Sequence, residues 1–433
     1  MMRLSPRFVA RMAYREGAPT LDQAPFWPYC CPMQTYRIGI IGFGAIGKVH
    51  AWAYSVLPFY YSPLPFKTRI TAVATAHQHS ARAAAEICGA GLATTDFRRL
   101  TESPDIDIIH ICSPNNHHRE QLASALKHNK HVYCDKPLVA GWDEAGELIP
   151  LLVAHRGRFG MAFQVRFFPT VQRAAHLLRD GRLGRILSYR LAYLHSGNAD
   201  PQAPARWKLS RSAGGGVIAD LASHVVDLLT ALGGEIRELS AQSSIAFATR
   251  PSSDKPSRRI RIDAEDHLVA LVSTSFGGDT PALGTIEATK IATGAEDELR
   301  LEIHGTKGAL RINSMTPHWL EFYDATRPDV PFGGERGWTR IDVGQRFAPP
   351  AASFPGPKFA MGWVRSHLGS IAEFLYAVHE HRDHSPNAVD GLYVQQLIDA
   401  LQRSAHSSRP VVPLPRREVE ALLGRQEPRE LRQ

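Results

Sequence analysis

The stretch YRIGIIGFGAIGKVHAWAYSVL, residues 36–57, constrains the fold of this chain more than any other. Tyr36–Ile41 is short, apolar and β-rich, and the segment after GFGAIG has helical spacing. Glycines in this pattern carry physical meaning only when a strand precedes and a helix follows. Gly42 permits the tight turn, Gly44 lets a pyrophosphate approach the backbone, and Gly47 lets the helix pack on the strand. Phe43, Ala45 and Ile46 complete the turn, and the free N–H groups of the helix start face the phosphates. The pattern continues downstream. RITAVAT (Arg69–Thr75) precedes SARAAAEICG, IDIIHICSP (Ile106–Pro114) precedes HREQLASALKHN, and HVYCDKP (His131–Pro137) precedes WDEAGELIPLLVAHR. Strands alternating with helices imply parallel βαβ units, a Rossmann domain expected over residues 36–162. RFGMAFQVRF (Arg158–Phe167) reads as its last strand and exit, and the insertion Pro58–Lys67 as a surface loop.

From Phe163 the alternation stops. VQRAAHLLRDGRLG is a helix closed by glycine, followed by strand candidates RILSYRLAYLH, RELSAQSSIAFAT, HLVALVSTSF, GTIEATKIA and the hairpin LRLEIHGTKGALRIN. Consecutive strands without helices between them predict an antiparallel sheet in a second α/β domain, residues 163–413. Arg327–Gly362 reads as a long Pro/Gly-rich loop, and SHLGSIAEFLYAVHEH and GLYVQQLIDALQRSAH as helices closing that domain. Two domains also suit a length of 433 residues, too long for one ordinary core. Residues 1–35 have a different character, Arg-rich and then Pro-rich; 1–32 are expected to be a poorly packed extension, and 414–433 a charged tail.

A net charge of +8 invites a nucleic-acid reading, but the basic residues are scattered and the densest group is mixed with glutamates. A solvated surface is expected, with no nucleic-acid partner, although the charge leaves room for anionic small molecules. No apolar run reaches about 18 residues, so no membrane span is expected. The five cysteines, Cys30, Cys31, Cys88, Cys112 and Cys134, form no CxxC pair and are odd in number, which fits a reducing cytoplasm. Despite twenty histidines there is no HExxH-type spacing, and no metal is expected.

The second strand ends Thr75-Ala76-His77, and no carboxylate occurs from Gln34 to Ala85 to meet the ribose hydroxyls of NAD. His77, His79 and Arg82 are placed instead for a 2′-phosphate. The expected cofactor is therefore NAD(P) with NADP favoured; the alternative is NAD held through hydroxyls and backbone.

Two further segments carry chemistry. HVYCDKPLV sets Asp135 and Lys136 just beyond an apolar strand, at the carboxyl end of the sheet where such folds bind ligands. GGGVIADLASHVVDLL (214–229) interrupts an apolar helix with Asp220, His224 and Asp227, whose spacing shares one face. A lone histidine satisfied by a carboxylate one turn away is common in cores. Three polar groups on one face must be paired or line a wet cleft, because burying them bare costs several kcal/mol.

These segments together, GFGAIG, ICSPNNHH (Ile111–His118), CDKP and GGGVIADLASHVVDLL, resemble the Gfo/Idh/MocA family of sugar and polyol oxidoreductases. The resemblance runs from about Met33 to about Pro413. It implies a Rossmann domain followed by an α/β domain with a large, mostly antiparallel sheet, assembled as a homodimer or homotetramer through that sheet. It gives Lys136 the role of the family's EKP lysine, with Asp135 in place of the usual glutamate. Ser113, Pro114, Asn115 and His118 would lie beside the cofactor, together with Thr75. Asp220 and His224 match the family's D-x-x-x-H pair: His224 would take the hydroxyl proton, Asp220 would hold the imidazole, and Asp227 would support nearby groups. Arg166, Tyr193, His195, Asn198 and Trp207 are the expected substrate contacts, the substrate being a sugar, glycoside or inositol. A glycosidase working by transient oxidation and elimination is the alternative. A non-catalytic sensor would not need Lys136 and His224.

Overall fold

The structure, a computed structural model, describes residues 33–278, 280–351, 354–356, 358–359 and 362–424. The expected extension 1–32 with Cys30 and Cys31, and the tail beyond 424, lie outside the described residues.

Six parallel strands form the first sheet: β1 (Thr35–Ile41), β2 (Lys67–Ala74), β3 (Leu92–Thr94), β4 (Ile108–Ile111), β5 (His131–Cys134) and β6 (Phe159–Met161). Their order is β3-β2-β1-β4-β5-β6, so the order in which strands are added reverses between β1 and β4 and opens a crevice at their carboxyl ends. Helices α1 (Ala45–Tyr60), α2 (Gln78–Cys88), α3 (His118–Lys127) and α4 (Trp142–Ala154) connect the strands. Ile38 and Ile40 of β1, Ile108 and Ile109 of β4 and Val132 and Tyr133 of β5 are fully buried, which explains why these strands read as continuous apolar runs.

Two expectations change here. Helix α1 continues through Pro58 to Tyr60, and Tyr61 and Phe66 of the supposed surface insertion are buried. The expected strand Arg158–Phe167 is strand only at β6, and Gln164–Phe167 form a 3₁₀ turn.

The second sheet has eight strands: β7 (Ile186–Leu194), β8 (Glu235–Ser244), β11 (His267–Ser275), β12 (Ala282–Thr289), β13 (Glu298–Gly305), β14 (Gly308–Asn313), β15 (Trp319–Asp324) and β16 (Trp338–Asp342). A small hairpin, β9 (Thr249–Pro251) with β10 (Arg259–Arg261), lies outside it. The order β16-β15-β14-β13-β7-β12-β11-β8 is antiparallel except for the β7–β12 pair. Strand β16 falls within the segment expected to be all loop. Helices α5 (Pro169–Arg179), α6 (Ser223–Ala231), α7 (Val364–His379), α8 (Ala388–Ser407) and α9 (Arg416–Leu422) complete the fold.

Helix α7 does not close the second domain as its position in the chain suggests. Its Leu368, Ile371, Phe374 and Leu375 share a core with Ile38, Ile40, Tyr54, Leu57 and Tyr133 of the Rossmann domain. The aromatic residues of the α1 extension pack on the same helix: Phe66 meets Tyr376 edge-on at 5.5 Å. The two domains are thereby held across the crevice.

Candidate active site

A cavity of about 1130 Å³ lies between the carboxyl ends of β1, β2, β4 and β5 and the ends of the central strands of the second sheet. Drug-sized pockets usually hold about 300–1,000 Å³, so there is room for a dinucleotide and a second small ligand. Its first half is the glycine turn. Gly42 has φ 88°, and a Cβ there would lie 2.6 Å from the Cys112 carbonyl. A Cβ on Gly47 would lie 2.3 Å from Gly42 O, so only glycine lets helix and turn pack so closely. Gly44 is different: a Cβ there would meet no protein atom within 4 Å. Space is thus left open at the N-cap of α1, whose first turn has neither side-chain cap nor acidic residue. An uncapped 16-residue helix aimed into a cavity beside an open glycine fits a dinucleotide pyrophosphate. Phe43, Ala45, Ile46, Thr75, Ser113, Pro114, Asn115, Asp135 and Lys136 line the same space.

The second half is assembled by sheet topology. Because β7 and β12 run parallel, both end at the crevice, and His195 and Lys290 follow them there. Antiparallel β11 and β13 begin at the same end of the sheet, next to Asp266 and Asp297. The GGG turn closes the floor. Gly214 (φ 74°) accepts through its carbonyl a 2.8 Å bond from Asn115 Nδ2, tying this turn to the Rossmann domain. Gly216 (φ 107°) passes so near Glu265 that a Cβ would sit 2.3 Å from its carboxylate.

Beyond the turn the helix begins as a π-helical segment, Ile218–Ala222, and continues as α6. Such segments often mark functional sites. Asp220 emerges from it into three ammonium groups. Lys136 donates to Oδ1 at 2.8 Å, Lys208 to Oδ1 and Oδ2 at 2.8 and 3.0 Å, and Lys290 to Oδ2. Burial alone would raise the Asp220 pKa; the charges of Lys136, Lys290 and Lys208 overcome it and hold the carboxyl well below the usual range. Lys208 and Lys290 were missed in the sequence, although EATKIA and ARWK each place a lysine just where the chain enters or leaves an element.

His224 is 4% exposed, faces Tyr193 and Phe163 ring to ring at 5.8 and 6.3 Å, and lines the cavity. Burial, and then the Lys136 charge, push its pKa well below 6.5, so the imidazole is neutral. Asp220 does not hold it, contrary to expectation, because both carboxylate oxygens are taken by lysines. Nδ1 is buried with no partner, whereas Nε2 is not among the fully buried unpartnered atoms.

Of the expected substrate contacts, Tyr193, His195, Asn198 and Trp207 line the cavity. The Tyr193 hydroxyl donates to Asp297 at 2.7 Å, and Asn198 Nδ2 donates to Asp266 at 2.5 Å. Arg166 does not reach it. Its Nε and Nη2 donate to the buried Asp227 at 2.9 and 2.5 Å, and Asp390 lies 3.3 Å away. Burial pushes the Asp227 carboxyl up to about 6 against the pull of Arg166. Asp227 therefore belongs to a structural ion pair. Arg166→Met strands the buried Asp227 carboxylate, while Asp390 keeps Arg416 at 2.7 Å, and urea denaturation should show a loss of about 3–5 kcal/mol, with little change in substrate KM.

Four residues expected at the cofactor also lie off the cavity wall. His118 is fully buried, its ring facing the Pro137 and Ser113 carbonyls at 3.0 Å each, so it pins the β5 and β4 loops together. His77 stacks on His79 at 5.7 Å, and neither ring lines the cavity, nor does Arg82. Asp96, Phe97 and Arg98, after β3, line that end instead. Among the described residues no cluster of three or more His, Cys, Asp or Glu is placed to hold a metal, and no helix is long and apolar enough to cross a membrane.

Comparison with known proteins agrees with this architecture. Residues 36–163 match the "Oxidoreductase family, NAD-binding Rossmann fold" and residues 175–414 the "Oxidoreductase family, C-terminal alpha/beta domain" of Gfo/Idh/MocA proteins. Levoglucosan dehydrogenase of Pseudarthrobacter phenanthrenivorans is 29% identical over 385 residues, 86% of this chain and 97% of that protein. Inositol 2-dehydrogenase of Rhizobium meliloti is 25% identical over 380 residues, 87% of this chain and 99% of that one. A solved levoglucosan dehydrogenase in complex with NADH superposes with TM-score 0.81 at 30% identity, covering 88% of this chain and 100% of that one. With a glycine turn open to a pyrophosphate, a strand-end lysine and a buried histidine on one cavity, the chain belongs to the Gfo/Idh/MocA family of oxidoreductases.

Proposed function

We propose that this protein oxidises a secondary hydroxyl of a sugar, glycoside or inositol, or reduces the corresponding ketone, with NAD(P). The observation that carries this reading is the convergence of Lys136 and the neutral His224 on one cavity wall beside the glycine turn. A bound nicotinamide supplies the hydride acceptor. The chain's own residues handle the proton and the orientation. His224, on the cavity wall with no hydrogen bond to its ring among the described residues, accepts the hydroxyl proton. Lys136, held on Asp220, lowers the alcohol's proton affinity with its charge. Tyr193, Asn198 and Trp207 supply a ring and polar groups to a carbohydrate face. The dehydrogenases named above, similar over nearly their whole length, support this substrate class.

For the cofactor, NADP remains the proposed preference, on changed grounds. No acid ends β2, and the half-exposed Arg98 faces that end of the cavity, its nearest carboxylates being Glu120 at 3.9 and Asp96 at 4.0 Å. Assays at 340 nm with inositols, hexoses and glycosides should show turnover, with a KM for NADP about tenfold below that for NAD. Absence of turnover with the whole panel argues against the activity, and a strong NAD preference against the cofactor choice.

Assembly through the second sheet is likewise proposed. Val269, Leu271 and Leu283 stand exposed on its outer face, 43, 65 and 69% accessible, where a lone sheet would be polar. Light scattering should report a dimer or tetramer, and Leu271→Glu should shift it towards monomer.

A further inference from the structure

We propose that the substrate of this cleft carries an anionic group, a carboxylate or a phosphate ester, received by Arg250 together with Lys208 and Lys290. This deepens the sugar oxidoreductase reading and rests on it. The charges on the substrate half of the cavity do not balance. Lys136, Lys208, Lys290, Arg206 and Arg250 line it, five cations, against Asp135, Asp220 and Asp297, three carboxylates. Asp220 alone serves three of those ammonium groups, and Asp297 is engaged by the Tyr193 hydroxyl.

Arg250 makes the imbalance acute. It lines the cavity yet is only 1% exposed. Its Nη1 and Nη2 donate to the carbonyls of Asp200 and Asn198 at 2.6 and 2.5 Å, and Nε has no partner. No carboxylate pairs with it among the described residues. A guanidinium cannot shed its proton, so its buried charge must be met by something else. Of the two other buried arginines, Arg166 is paired with Asp227, and Arg365, off the cavity and also without a carboxylate or an Nε partner among the described residues, is enclosed by the rings of Tyr60, Tyr61 and Phe347 at 5.0, 5.4 and 4.1 Å. Arg250 has one ring, Phe247 at 5.1 Å. A cofactor pyrophosphate is not the missing anion, since the open Gly44 and the α1 N-terminus receive it from the Rossmann side. Lys208, Lys290 and Arg250 all come from the second domain. Arg presents paired donors to a carboxylate or phosphate, and the flanking ammonium groups add charge.

The test is calorimetric binding of four probes to the full chain loaded with reduced cofactor: D-glucuronate, D-glucose 6-phosphate, D-glucose and methyl α-D-glucopyranoside. One of the two anions should bind at least tenfold more tightly than both neutral sugars, the better anion telling carboxylate from phosphate. Arg250→Gln should remove that advantage while leaving the Kd of the reduced cofactor unchanged. Lys208→Gln, at a half-exposed side chain, should reduce it as well. Neutral sugars binding as tightly as both anions, or an anion advantage untouched by either variant, overturns the proposal. So does an Arg250→Gln variant whose cofactor affinity falls instead. Oxidation of neutral sugars without anion preference would sink this inference and leave the oxidoreductase reading standing. Arg250-dependent anion binding with no oxidation of any sugar would do the reverse.

Discussion

Replacing His224 by alanine should lower kcat by about 10²–10⁴-fold while the Kd for the reduced cofactor, read by nicotinamide fluorescence, stays within about twofold. The separation is expected because His224 makes no hydrogen bond among the described residues, and its Nδ1 is buried without a partner. Its removal therefore strands no buried partner, and the loss falls on the proton transfer. The pH profile adds a second readout. An imidazole held neutral by burial and by Lys136 stays able to accept a proton below its ordinary pKa of about 6.5. The acid limb of the oxidation rate should thus lie below pH 6.5 in the wild type and vanish in His224→Ala. Near-normal turnover in the variant would remove His224 from the mechanism.

Asp220→Asn should be the most damaging single change to the cavity floor. Asparagine keeps the shape but leaves three ammonium groups without their shared counter-charge, two of them with side chains only 11% exposed. Breaking a buried ion pair from one side typically costs about 3–5 kcal/mol, and the half-exposed Lys208 recovers part of this in water. A loss of about 3 kcal/mol is expected in urea denaturation at pH 7, with kcat reduced at least tenfold because Lys136 keeps its bond to the Asp220 carbonyl but loses the carboxylate charge that fixes its place. The sign of the pH dependence follows from the depressed pKa. The carboxylate's contribution is present above its unfolded-state value of about 3.9 and is lost as the pH falls through its folded value. The stability gap between wild type and variant should therefore narrow below about pH 4. A gap that is small at pH 7, or that does not narrow in acid, would show that Asp220 is not the electrostatic centre of the site.

Much of the site was legible residue by residue. GFGAIG, the strand-end Lys136 and the interrupted helix at 214–229 each break a local pattern, and all three contribute residues to the cavity, although Asp227 of that helix is paired in the core instead. Partners were harder to read. Asp220 and His224 sit one turn apart, so a mutual hydrogen bond is the natural expectation. Yet the carboxylate turns to lysines that lie 84, 12 and 70 residues away in the chain. Arg166 leaves the last Rossmann strand towards the cleft, but Asp227 intercepts it in the core. The missing acid after β2 was a valid signal, although the basic group that faces the cavity there is Arg98, after β3, and not Arg82.

The sequence alone determined the parallel Rossmann sheet, the glycine turn and the family, because strand and helix periodicity and the steric demands of glycine act over a few neighbouring residues. Tertiary structure alone decided the charge of the cleft. The parallel β7–β12 pair carries His195 and Lys290 to one end of the sheet, and α7 crosses back to lock the domains. Electrostatic pairing depends on distance in space and on exclusion of water, and neither is written in the spacing of residues along a chain.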